Sequence, residues 1–99
     1  MTSFRVSRAA EADIRQIARY TQNEWGARQR RRYLSGLNDE FKLLSRNPRL
    51  VPERAEFDPP VRIRRYERHL IVYIVEDSDI LIVRVLHQNM DVPTQLSDN

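Results

Sequence analysis

The chain has 99 residues, of which 40% are hydrophobic, and it carries a formal net charge of +3 at pH 7. A chain of this length builds one small core and buries roughly 60 to 65% of the surface of its unfolded form. It contains no cysteine and only two histidines, which excludes disulfide frameworks, thiolate metal sites and a closed zinc site made from Cys and His. We therefore expect neither a metal nor a cofactor.

Hydropathy gives no sign of a membrane segment. The amino-terminal residues run into a charged region without the apolar stretch of a signal peptide. The longest apolar run, residues 70–75, is far too short to span a bilayer. We expect a soluble, cytoplasmic protein that makes no contact with a membrane.

Arginine supplies 16 of the 17 cationic side chains, and Lys42 is the only lysine. The planar guanidinium group is always ionised and forms paired hydrogen bonds with carboxylates and phosphates. Such a surface suits an acidic protein or a nucleic acid, although a GC-biased genome gives the same composition. The placement of the arginines must separate these two explanations.

The first predicted elements are a short strand and a helix. Residues 3–6 alternate apolar and polar side chains, and Ser7 then offers an oxygen that can cap a helix. From Arg8 onward the apolar spacing of three and four residues predicts an amphipathic helix that ends near Trp25 and Gly26. The small or apolar residues that set this spacing are Ala10, Ile14, Ile17, Ala18 and Thr21.

A second helix follows Gly26. Leu34, Leu37, Phe41 and Leu44 recur at helical spacing, and the helix must end before Pro48 because a residue that precedes proline disfavours the helical conformation. The connection between the two helices is short, which favours antiparallel neighbours. The sequence therefore predicts a helical hairpin whose apolar stripes pack on another layer.

The rest of the chain has the pattern of a β-meander. Residues 47–60 contain four prolines and no sustained period, and we expect a loop there. Three strands follow at 61–66, 69–75 and 80–86, separated by short turns. The predicted fold is α+β, with an N-terminal strand and a helical hairpin packed on one face of a twisted antiparallel sheet, in the order β-α-α-β-β-β. We expect a single domain over residues 1–99 with a short C-terminal tail at about 88–99.

Arginines on the predicted sheet are the first candidate site. Strand alternation puts Arg62 and Arg64 on one face, which we expect to be turned away from the helices. In the last strand the same rule places Arg84 among apolar residues, beside Ile82 and Leu86. Together the three arginines predict a cationic patch for phosphate or an acidic partner. Alternatively, Arg84 pairs with a buried or edge carboxylate, or its stem covers apolar surface.

Two further features allow both a functional and a structural interpretation. His69 and His87 have the intrinsic pKa of a general acid or base, but a backbone hydrogen bond at a strand end is the interpretation that we favour for each. The run from Arg28 to Arg32 could grip a polyanion or form a solvated helix face. No Ser-His-Asp order, Gly-rich phosphate loop or His-Glu metal spacing is present.

The pattern as a whole resembles the ParE toxins of the RelE/ParE superfamily, from about Phe4 to Asp91. The residues that carry the resemblance fall in spaced groups along the whole chain. They are Ala12-Asp13-Ile14, Ile17, Tyr20-Thr21, Trp25-Gly26, Tyr33, Leu37, Phe41, Leu44, Asn47-Pro48, Arg64, Tyr66, His69, Ile71, Tyr73, the stretch from Ile82 to His87, and Met90-Asp91. The closing Arg-Val-Leu-His with Met-Asp is the most specific of them.

The resemblance implies a ParD-like antitoxin encoded alongside, whose C-terminal segment lays a helix along the hairpin and sheet. It also implies DNA gyrase as the target and a toxin that acts by binding. The antitoxin-binding residues expected on this basis are Ile17, Tyr20, Trp25, Tyr33, Leu34 and Leu37. The expected target-binding residues are Arg62, Arg64, Arg84, His87, Met90 and Asp91.

The alternative is the ribonuclease branch, a RelE-like ribosome-dependent mRNA interferase. Its catalytic groups would fall on Arg62, Arg64, Arg84 and His87, with His87 moving the proton and the arginines holding the scissile phosphate. Gln88 stands where this branch often has a terminal catalytic Tyr, which argues against RNA cleavage. Direct contact with nucleic acid is left open by the sequence.

Overall fold

A computed structural model describes residues 3–97 of the chain. The elements in chain order are β1 (Phe4–Val6), α1 (Arg8–Trp25), α2 (Ala27–Arg46), β2 (Glu53–Arg54), β3 (Val61–Tyr66), β4 (His69–Glu76), β5 (Asp79–His87) and α3 (Val92–Ser97). The predicted α+β order is confirmed, with two additions. The strand β2 lies within the predicted loop at 47–60, and the helix α3 lies within the predicted tail.

The five strands form one sheet in the order β1-β5-β4-β3-β2. All neighbours are antiparallel except β1, which runs parallel to β5 and is paired with it from Ile80 to Ile82. Because β1 is so short, the second half of β5 is paired with β4 but has no strand within residues 3–97 on its other side, and α1 lies over that edge. No helix within residues 3–97 is long and apolar enough to cross a membrane.

Local signals in the sequence fix both ends of α1. The Ser7 hydroxyl oxygen accepts a hydrogen bond from the Ala10 N–H at 3.0 Å and donates to the Val83 carbonyl at 2.8 Å, which ties the start of the helix to β5. Gly26 has a φ of 91°, a conformation that favours glycine, and it separates α1 from α2. The predicted cap and the predicted break are both confirmed.

The sheet carries an apolar cluster on each face. On the hairpin side, Ile71, Tyr73 and Ile82 pack with α1 and α2 residues such as Leu37 and Phe41. The second cluster occupies the opposite face and is completed by α3. Its members are Val61, Val72 and Leu86, with Ile63, Ile74, Val83, Val92 and Leu96 packed against them. The expectation that Arg62 and Arg64 lie on the face turned away from the helices is therefore wrong, because their strand neighbours Val61 and Ile63 occupy that face.

A β-bulge explains why simple alternation fails in β5. Tyr73 pairs with Ile82 while its neighbour Val72 pairs with Arg84, so Val83 is an extra residue in the ladder. The extra residue shifts the alternation by one position. Val85 consequently joins the cluster under the helices, and Leu86 joins the opposite one.

Gly36 allows α2 to lie close to β3. A methyl group at this position would overlap the Tyr66 hydroxyl and lie 3.0 Å from its ring carbon Cζ. That hydroxyl donates to the Tyr33 carbonyl at 3.0 Å. We expect Gly36→Ala to lower the free energy of unfolding by about 1 to 3 kcal/mol, since overpacking outweighs the helix propensity of alanine.

Urea unfolding measures this cost, and Tyr66→Phe provides the matched background. Without the hydroxyl, the same Gly36→Ala change should cost less, because the most severe overlap has been removed. An equal cost in both backgrounds would show that the close approach of the Tyr66 hydroxyl does not matter.

Candidate functional site

Most of the large apolar side chains that are exposed lie together in one groove. Among residues 3–97, four such side chains are exposed: Tyr20 at 59%, Trp25 at 61%, Met90 at 44% and Leu50 at 48%. Three of them, all except Leu50, line the same groove. Single exposed hydrophobic residues are ordinary, but a cluster of them marks a binding surface.

This groove, hereafter the aromatic groove, lies between α1, the start of α2, the β3–β4 turn and the end of β5. It has a volume of about 560 Å³ and is open to solvent. The lining residues that define it are Ile17, Tyr20, Trp25, Tyr33, His69, His87 and Met90, with Asp13, Gln16, Gln29, Glu67 and Arg68 among the others.

Three rings form the deep part of the groove. The Tyr33 hydroxyl lies 2.6 Å from His69 Nδ1. The His69 ring meets the Tyr33 ring and the His87 ring edge to face, each at 5.5 Å between centroids. His87 Nδ1 accepts the Asn89 N–H at 3.1 Å, so the proton of neutral His87 is on Nε2. The turn that makes this bond also places Met90 at the groove.

Burial sets the protonation of Tyr33 and His69. Burial, reinforced by the neighbouring His87, lowers the pKa of His69 from 6.5 to about 4, although Asp13 opposes the shift. Burial also raises the pKa of Tyr33 above its usual value of 10. Both groups are therefore neutral at pH 7, and His69 has no proton to donate as an imidazolium.

The lowered pKa of His69 predicts a pH dependence of stability. The unfolded chain binds a proton at His69 below about pH 6.5, whereas the folded chain does so only near pH 4. Stability from this source is complete above pH 6.5 and is lost as the pH falls toward 4. Urea unfolding between about pH 5 and pH 7 should show the decline, and His69→Gln should flatten it. A variant with the slope of the parent would contradict this assignment.

Asp13 holds the edge of β5 next to the groove. Its carboxylate accepts hydrogen bonds from Arg84 Nε at 2.8 Å, from Arg84 Nη2 at 3.0 Å and from the Val85 N–H at 2.9 Å. Arg84 Nη1 also lies 3.5 Å from the Gln95 carbonyl of α3. Of the alternatives open for Arg84, pairing with an edge carboxylate is the one that the structure supports.

The other two candidate arginines lie on the hairpin side of the sheet and make local contacts. Arg62 donates to the Val51 carbonyl at 2.6 Å. Arg64 forms an ion pair with Glu40 of α2 at 2.9 Å. Because β4 lies between β3 and β5, the structure does not gather Arg62, Arg64 and Arg84 into one patch.

The groove brings together residues to which the family resemblance assigns two different roles. Ile17, Tyr20, Trp25 and Tyr33 of the expected antitoxin-binding set line it together with His87 and Met90 of the expected target-binding set. Two other members of the antitoxin-binding set lie deeper, since Leu34 is half-buried against the core and Leu37 is only 1% exposed. Asp91 is exposed and bonds to the Thr94 hydroxyl at the start of α3.

Sequence reasoning missed the polar residues of the groove. Asp13 could have been noticed, because it is a lone carboxylate at helical spacing from Ala10 and Ile17, on the apolar side of α1. Gln16, Gln29 and Arg68 carry no such signal. No group of three His, Asp or Glu side chains within residues 3–97 is placed to hold a metal ion.

A helical hairpin on a small sheet, with exposed aromatic side chains grouped in an open groove at its edge, is typical of the class of proteins that bind a macromolecular partner. The model of the family described as "ParE toxin of type II toxin-antitoxin system, parDE" matches residues 4–92. The chain belongs to this family of toxins.

Named relatives agree with this membership. The chain is 36% identical to "Toxin ParE" of Escherichia coli over 99 residues, which covers 99% of this chain and 96% of the relative. It is 33% identical over 94 residues to "Toxin ParE1" of Mycobacterium tuberculosis, covering 94% and 96%. A chain of the solved "Chromosomal ParDE TA system from P. aeruginosa" shares the fold, with a TM-score of 0.75 at 21% identity, over 88% of this chain and 96% of that one.

Proposed function

We propose that this ParE-family protein arrests growth by binding DNA gyrase, and that a ParD-like antitoxin neutralises it by occupying the aromatic groove. The observation that carries the antitoxin part is the grouping of Tyr20, Trp25 and Met90 at one groove. The solved relative from P. aeruginosa is described as a ParDE system, and this chain shares its fold.

The groove has the make-up of a helix-binding site. A few residues, often Trp or Tyr in desolvated pockets, supply most of the binding energy at protein interfaces, and methionine is also enriched there. An amphipathic antitoxin helix would place apolar anchors over Trp25 and Tyr20, while its acidic residues would meet Arg68 at the rim. The buried Ile17 and Tyr33 form the floor against which such anchors pack.

Competition would explain neutralisation. His87 and Met90, which the family resemblance assigns to the target, lie in the same groove as the residues assigned to the antitoxin. A bound antitoxin segment would cover both of them. The toxin would then be unable to engage its target until the antitoxin is removed.

The arrangement of charged groups favours action by binding over RNA cleavage. Tyr66 and His87 flank His69 in the sheet, and Arg64 lies two residues from Tyr66. By strand geometry Arg64 is about 10 Å from His87 across the sheet and about 7 Å along it, and Arg62 is farther still. Both arginines are held by local partners, so neither can reach a phosphate beside His87 without giving up its contact.

A supercoiling assay with purified gyrase tests the target. Adding the toxin should inhibit supercoiling and accumulate cleaved DNA, and preincubation with the antitoxin should abolish the effect. Unchanged gyrase activity at large toxin excess would remove gyrase from the proposal. Since gyrase works in the cytoplasm, the proposal also places the protein there.

Pulse labelling of growing cells distinguishes the RelE-like alternative. If the toxin targets gyrase, DNA damage signalling should appear before protein synthesis falls. If synthesis stops first and His87→Ala abolishes growth arrest, the protein is an mRNA interferase instead.

A further inference from the structure

Cationic side chains are concentrated on the helical hairpin. Residues 8–46 hold nine Arg or Lys and five Asp or Glu, a net charge of +4, while the rest of the chain holds eight cations and nine acids. Two of the five acids are turned toward the sheet, where Asp13 pairs with Arg84 and Glu40 pairs with Arg64. The hairpin is therefore more positive on its outer side than the count suggests.

Eight exposed cations make up what we name the outer face of the hairpin. Three lie on α1: Arg8, Arg15 and Arg19. Five lie on α2: Arg28, Arg31, Arg32, Lys42 and Arg46. The exposed acids on these helices are Glu11, Glu24 and Asp39.

None of the cations of the outer face forms an ion pair in the part of the chain that the structure describes. The four ion pairs among residues 3–97 use Arg5, Arg54, Arg64 and Arg84, none of which belongs to this face. The first turn of α2 contains no acid, and Gly26 provides no side-chain cap. Arginines at this end of a helix also oppose the helix dipole. The arginines at the start of α2 are therefore an arrangement that costs stability.

The cations form two rows on a rigid surface. On α1 the spacings of seven and four residues align the three arginines opposite the buried side of the helix. Helices of 18 and 20 residues are about 27 and 30 Å long, and packed helices lie about 8 to 10 Å apart. Phosphates along a DNA strand are about 3.4 Å apart, so the face spans about eight base pairs.

The outer face lacks what other ligands would need. Of the large hydrophobic side chains that are exposed within residues 3–97, three lie in the aromatic groove and Leu50 follows α2. A protein partner would need apolar anchors, and a single strand would need aromatic rings for stacking. Duplex DNA needs neither, because its backbone is bound through cations alone.

From this geometry we infer that the outer face of the hairpin binds the phosphate backbone of duplex DNA without sequence preference. None of the eight cations lines the aromatic groove, although Arg32 donates to Gln29, which does. Gyrase and the antitoxin play no part in this binding. The inference is therefore independent of the proposed function, and either can be wrong without the other.

Fluorescence anisotropy with an unrelated duplex of about 24 base pairs tests the inference on the full chain. At about 50 mM salt the dissociation constant should be roughly 10⁻⁶ to 10⁻⁴ M. If about four phosphates are contacted, log K should fall with log salt at a slope of about −3.6, which is roughly a hundredfold loss between 50 and 200 mM.

Two charge-matched triple variants locate the site. Replacing Arg28, Arg31 and Arg32 with Gln should weaken binding by at least about tenfold and make the salt slope less negative by about 2 to 3. The control replaces Arg5, Arg54 and Arg65 with Gln, which removes the same charge from exposed residues outside the hairpin. The control should lose less than about threefold. Thermal unfolding verifies that both variants are folded.

Three results would overturn the inference. They are no binding of the duplex at 50 mM salt, equal losses in the two triple variants, and binding of poly-glutamate or a single strand in preference to the duplex. The second result would mean that net charge alone governs binding, and the third would assign the face to another class of ligand.

Discussion

Asp13→Ala should lower the free energy of unfolding by about 2 to 4 kcal/mol, the largest loss that we expect from a single polar side chain in this protein. The Asp13 carboxylate accepts two hydrogen bonds from Arg84 and one from the Val85 N–H. Its side chain is 12% exposed and that of Arg84 is 23% exposed. Removing the carboxylate takes from a largely buried cation its two bonds to Asp13, and from a strand-edge N–H its acceptor.

The cost arises because Arg84 loses its carboxylate and the Val85 N–H loses its acceptor, and a double variant can show this. Adding Arg84→Met to Asp13→Ala removes the charge that the carboxylate neutralised, so part of the loss should be recovered. A double-mutant cycle based on urea unfolding should therefore be strongly non-additive. Simple addition of the two single effects would mean that the pair does not act as a unit.

Glu24 provides the control for Asp13. It is an exposed acid on the same helix, and it forms none of the four ion pairs found within residues 3–97. Glu24→Ala should change the free energy of unfolding by less than about 0.5 kcal/mol. A similar loss in both variants would point to the net charge of α1 and away from the bonds made by Asp13.

Local patterns in the sequence were sufficient for the main elements. The limits of α1 follow from Ser7 and Gly26, and β3 has the bounds that alternation predicts. These features depend on residues that are close in sequence, where capping and periodicity act. The order of the elements, and hence the fold class, follows from them.

Features that depend on distant residues could not be predicted in the same way. The bulge in β5 is a shift in the pairing register between β4 and β5 around Val83. The alternation of apolar and polar side chains in β5 alone does not reveal it. The predicted cationic sheet face failed because Val61 and Ile63 of β3 pack in the cluster away from the hairpin, which places Arg62 and Arg64 on the hairpin side, where Arg64 pairs with Glu40. Asp13 and Arg84 are 71 residues apart, so their pairing is a property of the fold.

The groove illustrates the same distinction. The aromatic residues of α1 and the methionine after β5 are each visible in the sequence, but only the sheet order brings them together. The family resemblance had assigned Tyr20 and Trp25 to one partner and Met90 to another. Their shared position is what makes competition between antitoxin and target a physical hypothesis.

That hypothesis predicts a large effect at Trp25 on antitoxin binding. Trp25 is 61% exposed at the end of α1, so its loss should alter folding stability little. If its ring is an anchor under the antitoxin segment, Trp25→Ala should cost at least about 2 kcal/mol of binding free energy, which is roughly a 30-fold weaker complex. Titration calorimetry with the cognate antitoxin measures the change directly.

Leu50→Ala is the matched comparison, because Leu50 is 48% exposed and lies outside the groove. Both variants remove one large exposed apolar side chain, so a general loss of surface hydrophobicity would affect them alike. The antitoxin should bind the Leu50 variant within about threefold of the parent, because residues outside a hot spot contribute little. If Leu50→Ala weakened the complex as much as Trp25→Ala, the antitoxin would not be held by the aromatic groove, and covering His87 and Met90 could no longer explain neutralisation.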